Sequence, residues 1–147
     1  TTTFTRYLTD DEKQVETASW LAVRGADQSG APGSPDSDIF ALTDALNALP
    51  GMCTAQSCAG HLYGPDPLNG DGYIEPGHLW IRVSRGVLTR FEVGVYDLLA
   101  CPTIESASLR FQPWRGEMIE IIFGGNERGT LAESCAAVLT FMHQCAG

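Results

Sequence analysis

The nine residues Cys53-Thr54-Ala55-Gln56-Ser57-Cys58-Ala59-Gly60-His61 hold two of the chain's five cysteines, one of its three histidines and two hydroxyl side chains. Three chemistries suit such a cluster. In the first, Cys58 is a thiolate nucleophile with His61 or His78 as its base, because a nearby imidazolium lowers a thiol's pKa. In the second, Cys53, Cys58, His61 and His78 are a nitrogen and sulfur donor set suited to Zn²⁺; the usual Cys-x2-Cys knuckle is absent, and in a regular strand Cys53 and Cys58 point to opposite faces. In the third, the Thr54 and Ser57 hydroxyls, backbone amides and Gly60 hold a small polar ligand between walls formed by His61, His78 and Trp80. The third reading needs the fewest coincidences of geometry. It makes Thr54, Ser57, Gly60, His78 and Trp80 ligand-binding residues, with Cys58 and His61 as the catalytic candidates.

These residues need elements to position them. Residues 78–84 alternate, with Leu79, Ile81 and Val83 on one side and His78, Trp80 and Arg82 on the other, which predicts a strand with one buried face. A short strand over 52–58 precedes it. Between them, 60–77 is rich in Gly, Pro, Asp and Asn and predicts a long surface loop. Within it Asp66 and Asp71 do not meet a calcium-loop spacing and read as turn formers.

Upstream, Thr9 and Glu12 form a capping box that opens a helix over 10–24, along which Val15, Ala18 and Ala22 continue one face. Residues 25–37 carry no large apolar side chain and predict a flexible linker. Ser37 then caps a second helix whose Ile39, Leu42, Leu46 and Leu49 recur at helical spacing until Pro50-Gly51. Downstream, 85–100 fits helix better than hairpin, with Ser84 as its cap and Cys101-Pro102 as its stop. Residues 104–111 and 118–123 predict a hairpin about Pro113-Trp114-Arg115-Gly116. A capping box at Thr130 and Glu133 predicts a last helix with a Leu131, Cys135, Val138, Met142 stripe.

The element order is therefore α-α-β-β-α-β-β-α in one α+β domain over 1–147. The strand, helix, strand unit over 78–112 implies a parallel crossover. The expectation is a two-layer sandwich with a mixed four-stranded sheet.

Thr54, Ser57, Cys58 and Gly60, at their spacing, resemble the Thr-x-Ser-Ser-Cys-Ser-Gly-Arg stretch of the tRNA wybutosine-synthesising protein 3 family. Gln56, Ala59 and His61 stand where that stretch has Ser, Ser and Arg. The resemblance implies a related fold, a site around Ser57, Cys58 and Gly60, and S-adenosylmethionine as the cofactor of a methyltransferase acting on a modified guanine in tRNA.

Composition narrows the partners. Nine Lys and Arg against eighteen Asp and Glu give a net charge of −9, which disfavours a phosphate backbone as partner. Arg82, Arg85 and Arg90 read as a solvated face. Trp114, at the hairpin tip, is the tryptophan expected to be exposed, and His143 is expected to be exposed too. No apolar run reaches the roughly 18 residues of a membrane span. An odd, irregular set of cysteines fits thiols in a reducing compartment, so the cytoplasm is expected. Residue 1 is Thr, as in a trimmed or processed chain. A protein-interaction module without small ligand, using 25–37 and 60–77, is the rival to the ligand-binding reading, and a Cys/His zinc domain is a third.

Overall fold

The computed structural model describes residues 5–26, 39–65, 72–123 and 128–147. The elements run α1 (Asp10–Ala26), α2 (Phe40–Asn47), β1 (Met52–Pro65), β2 (Gly72–Val83), α3 (Arg85–Leu99), β3 (Ile104–Gln112), β4 (Gly116–Phe123) and α4 (Arg128–Ala146). This is the expected α+β order. The four strands form one sheet in the order β1-β2-β4-β3.

Every hydrogen-bonded pair in that sheet is antiparallel, where a mixed sheet was expected. The strands flanking α3 are indeed parallel to each other, but β4 inserts between them and pairs with both. The crossover thus skips one strand.

Leu79, Ile81 and Val83 of β2 and Ile119, Ile121 and Phe123 of β4 point to the side covered by α2, α3 and α4. Leu42 and Leu46 of α2, Val87 and Phe91 of α3, and Val138 and Met142 of α4 complete this core. Removing these large apolar surfaces from water is the main drive for the layer to form. Phe91 meets Phe141 edge to face, with ring centroids 5.9 Å apart, where α3 crosses α4. The Ser84 hydroxyl accepts from the Val87 amide at 3.3 Å, so the cap read from sequence does start α3.

The loop expected over 60–77 is instead mostly paired backbone. Cys58 lies opposite His78, Gly60 opposite Pro76, His61 opposite Glu75 and Tyr63 opposite Tyr73, leaving only 66–71 outside the described residues. β2 meets β4 only from His78 to Arg82. Beyond that point the ribbon has two strands, so Pro76 and the glycines are tolerated where a central strand would reject them.

Other expectations shift as well. The linker at 25–37 begins inside α1, and from 27 onward it lies outside the described residues, as does the Ser37 cap. α4 starts at Arg128, so Thr130 lies inside the helix and not at its cap position. Among the described residues no helix is long and apolar enough to cross a membrane.

The first capping box forms as read. The Glu12 amide donates to the Thr9 hydroxyl at 3.2 Å, and the Thr9 hydroxyl donates to Glu12 Oε1 at 3.1 Å. Yet α1 turns the opposite face inward. Val15 is 66% exposed and Ala18, Leu21 and Ala22 are exposed, while Glu12 and Glu16 face the sheet. The reason is Arg82, which is 1% exposed and donates to Glu12 Oε2 at 3.0 Å, Glu16 Oε1 at 2.9 Å and the Thr5 carbonyl at 2.8 Å. A buried guanidinium without carboxylates costs far more than these exposed apolar side chains. Arg82 is therefore not part of a solvated basic face, though Arg85 and Arg90 are exposed.

Candidate functional site

Along β1 the ladder slips twice, between Thr54 and Gln56 and again between Tyr63 and Pro65. Thr54 pairs with Ile81 and Gln56 with Trp80, so Ala55 is the extra residue of a bulge. The bulge resets the alternation. Cys53 and Cys58, which a regular strand would send to opposite sides, occupy register positions facing Arg82 and His78, both on the side of the sheet away from α2, α3 and α4.

α1 covers that side only at the Cys53–Arg82 end. Cys53 is buried, and its Sγ donates to Glu16 Oε2 at 2.9 Å. Burial first, then the hydrogen bond and charge of Glu16, push its pKa well above the usual thiol value. Such a thiol is a poor nucleophile and a reluctant metal ligand. Burial also works against ionising Glu12, but hydrogen bonds from Thr5 and Arg82 and the Arg82 charge outweigh it and hold the carboxyl at about 2.

The rest of this sheet face is half open and carries a connected string of polar and aromatic side chains drawn from all four strands. Gln56 Nε2 of β1 lies 3.3 Å from His78 Nε2 of β2. The His78 and Trp80 rings are 6.2 Å apart and tilted by 48°. The Trp80 indole nitrogen donates to Glu120 Oε2 of β4 at 2.6 Å, and Arg110 Nη1 of β3 donates to the same oxygen at 2.9 Å. The Arg110 guanidinium sits 4.5 Å from the Trp80 ring centroid. One carboxylate thus fixes both the ring and the cation stacked on it, a charge-assisted arrangement that holds its geometry.

His78 and Trp80 belong to this string. Cys58 reaches its edge by register, opposite His78, but its side chain and that of His61 lie outside the described residues. His61 is three positions further along the extended strand, opposite Glu75, a span of roughly 10 Å. Gly60 pairs with Pro76 in the same ribbon. Thr54 and Ser57 take register positions on the other side. Thr54 is buried, with its amide donating to Asn47 Oδ1 at 2.8 Å and its hydroxyl accepting from Asn47 Nδ2 at 3.0 Å, which joins β1 to α2 rather than to a site.

Gln56, Arg110 and Glu120 were not among the residues singled out from sequence. Glu120 did leave a signal, being an acid within the apolar run Met118-Ile119-Glu120-Ile121-Ile122.

No family model and no curated protein matches the chain. Among solved structures it is similar to the PH1069 protein from Pyrococcus horikoshii, at 12% identity and a TM-score of 0.46 over 90% of each chain.

Proposed function

We propose that the open sheet face binds a small ligand carrying a planar heteroaromatic ring. The observation that carries this reading is Trp80 held by Glu120 and overlaid by Arg110, a fixed ring and cation on a half-open face against which a ligand ring can lie. A nucleoside-type cofactor has that chemistry, and the motif resemblance to the wybutosine protein 3 family points to S-adenosylmethionine. On this reading Cys58, opposite His78, stands next to the ring and is the candidate for any covalent chemistry, with His61 further out on the same ribbon. An odd, irregularly spaced set of five cysteines supports a reducing, cytoplasmic setting.

The test is thermal unfolding and calorimetric titration with S-adenosylmethionine. A ligand that binds only the native state raises its melting temperature, and the rise should be lost in Trp80→Ala and Glu120→Ala. No shift in the wild-type protein rejects the cofactor. A shift that survives both substitutions rejects the site.

A second reading, the protein-interaction module, has its own support. Ala18 and Leu21 of α1 help to line a cleft of about 640 Å³ with Asn47, Pro50 and Gly51, beside the exposed Val15. Binding of S-adenosylmethionine would favour the first reading over this one.

A further inference from the structure

The sheet has two edges, β1 and β3, and the fold treats them differently. At β1 the outward carbonyl of Met52 accepts from Lys13 Nζ at 2.5 Å, and the outward amide of Thr54 donates to Asn47 Oδ1 at 2.8 Å. Side chains of α1 and α2 thus occupy outward ladder groups at the Met52–Thr54 end of that edge. β3 has no such plugs. Among the described residues nothing caps its outer edge between Glu105 and Phe111, and its hydrogen bonds run to β4 alone. Unpaired ladder groups of this length recruit another strand unless charge, proline or a covering element prevents it.

The side chains of β3 say which strand. Ala107, Leu109 and Phe111 alternate on the helix side of the sheet, with Leu109 42% and Phe111 56% exposed. Trp114, 62% exposed, follows in the turn. The only charged residues of β3 are Glu105 and Arg110, both exposed, towards opposite ends. A parallel copy would set like charges side by side. An antiparallel copy about a twofold axis near Ser108 sets Ala107 against Leu109 and brings Glu105 of one strand within one position of Arg110 in the other, so the edge is complementary to itself in charge and in apolar row.

From these relationships we infer that β3 pairs antiparallel with the β3 of a second copy, joining two four-stranded sheets into one of eight strands. The open faces then become continuous, and the Arg110 side chains of both copies lie on the two central strands. The dimer is independent of what the face binds.

Sedimentation equilibrium from micromolar to near-millimolar protein tests the proposal. The expected mass rises towards twice the 15.8 kDa of the chain, and a Leu109→Lys, Phe111→Lys double variant stays at one chain mass while keeping its circular dichroism. A wild-type protein that remains monomeric throughout overturns the inference, as does a folded double variant that still dimerises. Hydrogen exchange on the wild-type protein guards against a variant that fails to fold: amides within 105–111 should gain protection as concentration rises, and exchange that ignores concentration also overturns it.

Discussion

Oε2 of Glu12 lies 3.0 Å from Nη1 of Arg82, while Oε1 of the same carboxylate accepts from the Thr9 hydroxyl. One side chain therefore both caps α1 and neutralises a cation buried in the sheet. The start of the helix and its attachment are a single electrostatic unit.

That unit has a pH signature. Glu12 is held at about 2 in the folded chain against an ordinary value of 4.5. A depressed carboxyl contributes stability that is complete above its unfolded pKa and is lost as pH falls through the folded one. The melting temperature should fall between pH 4.5 and about 2, and Glu12→Gln, which keeps the capping amide geometry without the charge, should flatten that part of the profile.

The two ion-paired arginines on this sheet face should respond very differently to removal. Arg82→Ala strands Glu12 and Glu16 against a buried surface and is expected to cost about 3–5 kcal/mol. Arg110→Ala removes a half-exposed pair with Glu120 and is expected to cost about 1 kcal/mol or less. Urea unfolding of the two variants checks the ranking.

Asn47 ties α2 to β1 through three contacts with Thr54. Asn47→Ala leaves a buried amide and hydroxyl without partners, so about 1–3 kcal/mol should be lost. Chemical denaturation measures it, and adding Thr54→Val should recover part of the loss, because the orphaned hydroxyl then goes.

Gly51 and Gly116 both have positive φ, +75° and +78°, yet alanine should be tolerated unequally. Either substitution costs roughly 1–2 kcal/mol for the left-handed backbone. At Gly116 the new Cβ also meets the backbone carbonyls of Thr5 and Arg6, the second at 2.7 Å, where Arg6 accepts from the Glu117 amide. At Gly51 it meets the Ser84 and Val87 side chains, which can move. Gly116→Ala should be the more destabilising in thermal unfolding.

Thiol labelling should follow burial. Cys53 and Cys145 are buried, and burial raises both thiols' pKa values. In the folded protein both should resist alkylation at mildly alkaline pH, whereas half-buried Cys101 and Cys135 react first among the described thiols. Peptide mapping by mass spectrometry reads the order.

Much of this architecture was legible in the chain because local signals agreed with the tertiary fold. The Thr9–Glu12 box, the Ser84 cap and the alternation from His78 to Val83 each name an element and are each realised. What misled was composition acting at a distance. Gly60, Pro76 and Gly77 read as loop, since nothing nearby shows that β2 loses its second neighbour beyond His78 and so can accept them. The inward face of α1 was hidden for a related reason: its choice depends on Arg82, some seventy residues later, and a helix pattern alone rewards Val15. Of the site, His78 and Trp80 could be read from alternation. Their link to Arg110 could not, because it runs through β4, and the strand order that puts Glu120 between them is a property of the whole sheet.

The bulge at Ala55 gives this surface an unusual kind of fragility. An even pleat through all the residues of β1 would set Ala55 opposite Trp80 and Ser57 opposite His78 and turn Gln56 towards the helices, whereas deletion of Ala55 would keep Gln56 opposite Trp80. The face thus depends on where the ladder slips as much as on the side chains it carries.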